Sequence, residues 1–178
     1  MNDAEVNTDL KNSVYCVNEK IMPVVRKLFP DWHLMQVEGK EDEVCSKLDM
    51  SCGIDYLMYS DKMDLVYGVA SRIQYGANYR TFTVRKSRES GALTEYHKRS
   101  QAIFLGGLYP KYSMQAYVID DGVAGLAMTK TADLIDFIAK DFAEERQTLS
   151  DKIGQAAFYV CEWDKMKACG YTVREYSA

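Results

Sequence analysis

Two aspartates six residues apart, Asp49 and Asp55, open the part of this chain that is richest in groups able to do chemistry. Asp55 interrupts the apolar run IDYLMY, and a carboxylate buried alone in such a run is costly, so it needs a partner. Further on, the run GVASRIQ carries Arg72 and Gln74, and the segment after it carries Glu95 with Lys98 one helical turn along. Carboxylates, a cation and a neutral amide are the groups that metal-assisted phosphodiester cleavage uses. Oxygen ligands hold Mg²⁺ or Mn²⁺, and a nearby cation carries the charge that develops on the phosphate. Asp49 and Asp55 are the candidate metal ligands, with Glu43 or Glu95 as other sources of a second carboxylate. Asp55, Arg72, Gln74 and Glu95 are the candidate catalytic set, Arg72 and Gln74 touching the scissile phosphate or the attacking water. Plainer roles exist for the same residues. Asp55 caps a strand or pairs with Arg72, Arg72 and Gln74 form an exposed strand face, and Glu95, Lys98 and Arg99 a solvated helix face.

The charge is unevenly spread. The whole chain of 178 residues has a formal net charge of −4, which excludes a uniformly basic nucleic-acid-coating protein. Residues 80–99 nevertheless hold six bases against two acids, a net of +4, so the remainder carries −8. The bases are Arg80, Arg85, Lys86, Arg88, Lys98 and Arg99, and a local basic segment on an acidic body is the footprint of a phosphate-bearing partner or else an ordinary solvated surface.

Several chemistries are excluded by what the sequence lacks. The five cysteines show no CxxC spacing, and with His33 and His97 the only histidines a structural zinc site is not expected. Neither histidine lies in a nucleophile motif, and there is no GxxxxGK[ST] or GxGxxG. The start, MNDAEVNTDLKN, is polar and acidic rather than a secretory signal, and no apolar run approaches the ~20 residues of a membrane span. A reduced, cytoplasmic protein with free thiols is the expectation, with no membrane partner and a nucleic acid or a protein as its partner.

The elements that must position the chemistry follow from periodicity. Leu10, Val14, Val17, Ile21, Val24 and Leu28 share one face of a helix over 8–28, capped by Thr8 or Asp9 and kinked or split by Pro23. WHLMQV (32–37) is ambiguous between strand and helix, and one helical turn is expected around Val44. Residues 54–59 and 65–75 read as an antiparallel hairpin, central in its sheet, and 79–85 as the third strand of a meander. Alternation along the second strand puts Val69, Ser71 and Ile73 toward the core and Ala70, Arg72 and Gln74 on the opposite, polar face, where Asp55 can lie beside them. A helix over 92–105 follows, with Leu93, Tyr96, Ile103 and Phe104 as candidate buried positions. Strands at 112–119 and 123–129 flank the hairpin signal Asp120–Asp121–Gly122. A helix starts at Thr131 or Asp133, a strand covers 156–163, and 171–176 is a last short one. With no repeat or linker, residues 1–178 read as one α/β or α+β domain, a mixed central β-sheet flanked by helices, with any parallel pairing placed near its end.

GID, a hairpin into GVASRIQ, then a strand and a helix together resemble, over roughly residues 40–104, the PD-(D/E)XK nuclease superfamily. The resemblance makes Asp55 the first motif acid. It implies a restriction-endonuclease-like fold, a divalent metal (Mg²⁺ or Mn²⁺) and nucleic acid as substrate. The family's second motif is an acid, any residue, then lysine. Here the site-facing triplet is Ala70–Ser71–Arg72 or Arg72–Ile73–Gln74; neither supplies the acid, and in the second Gln74 takes the lysine's place. Two functions follow: a metal-dependent phosphodiesterase acting on nucleic acid, or a catalytically inactive domain of the same kind that binds nucleic acid or a protein through residues 80–99.

Overall fold

A computed structural model describes residues 16–40, 42–150 and 154–178. The start of the first expected helix, with Thr8, Asp9, Leu10 and Val14, lies outside these. Its remainder is split at the proline. Pro23 has no N–H to close the preceding turn, and the chain widens there into a π-helical stretch, Val17–Ile21, in which the Met22 N–H donates to Val17 O. An α-helix, α1 (Met22–Leu28), continues from it. The order after that is β1 (Trp32–Gln36), α2 (Glu43–Cys52), β2 (Tyr56–Ser60), β3 (Val66–Tyr75), β4 (Thr81–Arg88) and α3 (Glu95–Leu105). Then come β5 (Tyr112–Ile119), β6 (Gly122–Lys130), α4 (Thr131–Ala139), β7 (Glu144–Ser150), β8 (Gly154–Glu162), α5 (Trp163–Ala168) and β9 (Val173–Ser177).

The strands form a six-stranded mixed sheet in the order β1-β2-β3-β5-β6-β9 and a three-stranded sheet in the order β4-β8-β7. β2 and β3 pair antiparallel, Tyr56 opposite Val69, and lie inside the larger sheet as expected. The ambiguous 32–37 segment is a strand, antiparallel to β2. Asp120 and Asp121 both take left-handed backbones (φ 45° and 69°), the twist that a two-residue hairpin between β5 and β6 needs.

Two expectations of topology are corrected. β4 does not complete a meander; it leaves the large sheet and pairs antiparallel with β8. Left-handed backbones at Gly76 (φ 101°) and Arg80 (φ 53°) turn the chain away, and Phe82 and Val84 are buried under α4 and α5 instead. The edge of β3 thus left open is taken by β5, in parallel register from Val69–Tyr112 to Tyr75–Val118. The parallel pairing therefore sits at the centre of the sheet, with β4 and α3 as its crossover, while the late strands β8 and β9 both pair antiparallel. β7 had no periodic signal, because EERQTLS is charged throughout its first half; it is an edge strand, where charge discourages further pairing.

Alternation divides the core in two. Tyr56, Met58, Val69, Met114, Leu126 and Met128 face the π-helical stretch and α1. Tyr117 and Ala127, on the other face, join Phe82, Phe137 and Trp163 beneath α4, α5 and the small sheet. Leu93 and Phe104 are exposed rather than buried. α3 begins only at Glu95; Tyr96 and Ile103 pack half-buried against the second core as expected, while Glu95 and Arg99, four apart on one face, turn toward a cavity. Among the described residues no helix is long and apolar enough to cross a membrane.

Candidate functional site

Asp55 is seated by the interlocking of the two short sequence runs around it. Ile54 is buried against the bare backbone of Gly68, where a Cβ would stand 2.7 Å from Ile54 Cδ1, so the strand-initiating GID and the glycine of GVASRIQ fit only together. The Asp55 N–H donates to Val69 O (2.9 Å), and Asp55 O accepts from the N–H groups of Val37 (2.9 Å) and Glu38 (3.0 Å). That leaves the carboxylate on the face of Ala70 and Arg72, with Oδ2 accepting the Ser71 N–H at 2.5 Å. The parallel neighbour adds Ser113 and Gln115 to the same face, Gln115 directly beside Arg72.

These side chains surround a cavity of about 310 Å³ between the large sheet, α2, α3 and β4. Four carboxylates line it: Glu38 after β1, Asp49 on α2, Asp55 and Glu95. Three guanidiniums, from Arg72, Arg88 and Arg99, line it as well. The two kinds of charge are organised differently. Arg72 Nη2 donates to Glu95 Oε1 at 3.0 Å, and Nη1 donates to Thr83 Oγ1 at 3.1 Å. Its partner is therefore Glu95 and not Asp55. Burial acts to raise the Glu95 pKa, but the charges of Arg72 and Arg99 and the Arg85 N–H (3.2 Å) outweigh it, and Glu95 is held below the usual carboxylate range. Arg99 lies in the field of Glu95 and Asp55 without a hydrogen bond to either, and its pKa is lowered chiefly by burial.

Burial disfavours the charged form of each of the other three carboxylates, and neighbouring acids add to it at Asp55 and Glu38. Burial pushes Asp55 up to about 7; the Ser71 N–H and Arg99 oppose the shift, and Glu38 and Asp49 add to it. Burial, then the charge of Asp49, raises Glu38. Burial raises Asp49 too, against a backbone N–H from Gly39 and the charge of Lys98. Three half-buried carboxylates that resist ionisation thus line the same cavity. Among the described residues no three His, Cys, Asp or Glu side chains are gathered closely enough for an all-protein ligand set. Asp49 and Asp55, the two expected ligands, are both in its lining.

The remaining sequence candidates are dispersed. Glu43 is exposed and pairs with Lys47, away from the cavity. Gln74 shares a strand face with Arg72 but opens onto a second groove. Of the basic segment, Arg88 and Arg99 reach the cavity. Arg80 is bound to Asp164 and Glu175, Lys86 to Glu145, and Lys98 Nζ donates to Met50 O at 3.3 Å. Arg85 lies half-buried over the Phe158 ring.

Three contributors were not anticipated. Glu38 follows a strand whose nature was ambiguous, so its approach to Asp55 had no sequence marker. Thr83, on the strand that changes sheets, holds Arg72. Gln115 had a marker: it interrupts the apolar run YSMQAYVI as Asp55 interrupts IDYLMY. Only 1% exposed, it accepts from Thr83 Oγ1 (3.3 Å) through Oε1, while its Nε2 has no partner among the described residues. A buried unpaired amide at a cavity wall is a donor awaiting an acceptor. No family model matches this chain, and no curated protein or solved structure is detectably similar to it.

Proposed function

We propose that the cavity is the active site of a metal-dependent phosphodiesterase acting on nucleic acid, on a restriction-endonuclease-like variant of the mixed sheet. The observation that carries this reading is the juxtaposition of Asp55, Asp49 and Glu38, whose charged forms are disfavoured together, with arginines and the unpaired Gln115 amide across the same 310 Å³ space. The carboxylates suit a divalent cation, and the arginines and the amide suit the oxygens of a phosphodiester. The helix-flanked mixed sheet that the PD-(D/E)XK resemblance implies supports it further.

The chain's own groups then divide the work. Arg72 is pinned by Glu95, Thr83 and the Phe158 ring, 5.3 Å from its guanidinium carbon, so it meets a non-bridging phosphate oxygen without reorganising. Arg99, unbonded to Glu95 and Asp55, is the cation left to follow charge as it develops. Gln115 Nε2 donates to a second phosphate oxygen. In the metal-free site Asp55, at about 7, holds or releases a proton near neutrality, and a bound cation would keep it ionised. Asp49 and Asp55 are the residues that would hold Mg²⁺ or Mn²⁺, which supplies Lewis-acid polarisation of the phosphate and water of lowered pKa.

One observation favours the silent alternative, a domain that binds without cleaving. Ala70 is buried where the family's second acid would stand. Incubating labelled single- and double-stranded oligonucleotides with Mn²⁺, and titrating Mn²⁺ calorimetrically, separates the two. Metal binding and cleavage that both vanish in Asp55→Asn support the enzyme. Oligonucleotide binding with no metal uptake and no cleavage removes the catalytic reading.

A further inference from the structure

The polar face of β3 does not end at the carboxylate cavity. Past Arg72 and Thr83, which line both, it continues into a groove of about 430 Å³ between the Arg72–Gln74 face of β3 and the small sheet. The character of the two spaces is opposite. No carboxylate lines the groove among the described residues; it carries Arg72, Arg146, Gln74, threonine hydroxyls and the rings of Tyr79 and Phe158. Phe158 has the guanidiniums of Arg72 and Arg85 against it at 5.3 and 5.5 Å. Tyr79 is 58% exposed, its ring set edge-on to the buried Tyr117 at 6.2 Å, and neither its hydroxyl nor the Gln74 amide bonds to another described residue.

We propose that this groove is a stacking subsite for an unpaired nucleotide, and that the substrate class of the neighbouring cavity is therefore single-stranded nucleic acid. The proposal rests on the phosphodiesterase reading of that cavity. Aromatic and guanidinium planes recognise the face of a base, and every base has one. In a duplex those faces are covered by their stacked neighbours and only the edges are offered in the grooves. A single strand reaches the subsite as it is, whereas a duplex must first unpair and unstack a nucleotide. Arg72 forms the shared wall, so a phosphate bound in the cavity delivers its own base to Tyr79. The Gln74 amide and the threonine hydroxyls are then the groups facing the base's polar edge. Gln74 thereby acquires a role at the base rather than at the metal.

The test is fluorescence anisotropy of the full chain with a labelled oligothymidylate and with a duplex of equal length, in EDTA, so that binding is read without hydrolysis. The single strand is expected to bind at least about tenfold more tightly than the duplex, since one stacked base is worth roughly five- to a hundredfold. Tyr79→Ala should remove that preference, Tyr79→Phe should keep it, and duplex affinity should hardly change in either. Phe158→Leu, which keeps the apolar volume, should weaken single-strand binding too, with melting curves confirming that each variant folds. Equal affinity for the two nucleic acids, or single-strand binding indifferent to both rings, overturns the proposal. Cleavage assays with Mn²⁺ keep the two readings apart. Asp55-dependent cutting of duplex as fast as single strand retains the phosphodiesterase and removes the subsite. Tyr79-dependent binding of single strands without any cleavage retains the subsite and removes the phosphodiesterase.

Discussion

Asp55→Asn is the change whose consequences are most fully determined by the site. The folded-state pKa of Asp55 is about 7 against an ordinary 3.8, a gap of about three units. At ~1.4 kcal/mol per unit, ionising it in the metal-free native state costs ~4 kcal/mol, and ~2–4 kcal/mol once the water that a half-buried group retains is allowed for. The sign follows from proton binding. Between roughly pH 4 and 7 the native state holds a proton that the unfolded chain has released, so stability is greatest at the acid end, falls as pH rises to about 7 and is level above. Asparagine does not ionise, and its amide oxygen can still accept the Ser71 N–H. In EDTA the variant should match the parent near pH 4 and exceed it at pH 8 by ~2–4 kcal/mol, or roughly 5–15 °C in Tm for a chain of this size. Glu38 and Asp49 leave a smaller slope of the same sign. Mg²⁺ at a hundred times its Kd should restore ~2.7 kcal/mol to the parent and nothing to the variant. Melting curves from pH 4 to 8, with and without metal, measure all of this. An unchanged pH slope, or a variant less stable at pH 8, refutes the argument.

Glu95→Gln should lower stability by ~1–3 kcal/mol, since it leaves Arg72 and Arg99 facing each other uncompensated; Arg72→Ala should cost a similar amount, and the double variant less than the sum. Because the Glu95 pKa is depressed, its contribution is present above the ordinary carboxylate range and lost on acidification, so the Glu95→Gln deficit should shrink in acid melts. Gln115→Met fills the same volume and removes an unpaired buried N–H, but also the acceptor of the Thr83 hydroxyl, so the melting temperature should change little while the cleavage rate falls; equal cleavage would end Gln115's assignment to the phosphate. Oligonucleotide affinity should decline with salt, and Arg88→Ala should flatten that slope more than Lys86→Ala, because Lys86 is already paired with Glu145.

What was legible in the sequence follows the range over which each signal acts. The hairpin of β2 and β3, the turn at Asp120–Asp121 and the alternation that sends Arg72 and Asp55 to one face are set by neighbouring residues, and all were readable. So was the need of Asp55 for company. Its companions were less so, since Glu38, Gln115 and Thr83 are brought in by pairings between distant segments. The departure of β4 to another sheet was hidden because TFTVR suits either sheet equally, and the choice is made by what covers Phe82 and Val84. α3 misled for a related reason. Of its apolar residues Tyr96 and Ile103 do pack against the core, while Leu93 and Phe104 are exposed and Glu95 and Arg99 turn toward the cavity.

The parallel pairing of β3 with β5 also orders events in time. The β2–β3 hairpin is local and closes early, on the microsecond scale usual for hairpins. Only when β5 lies down alongside β3, after the chain has gone out through β4 and α3 and returned, does Gln115 arrive and the cavity close over the acid. We therefore expect dehydration of the carboxylates to fall in the last stage of assembly, on the native side of the barrier. Alkaline conditions should then leave the refolding rate nearly unchanged and hasten unfolding, so that a bound cation acts on the lifetime of the native state more than on the speed of reaching it.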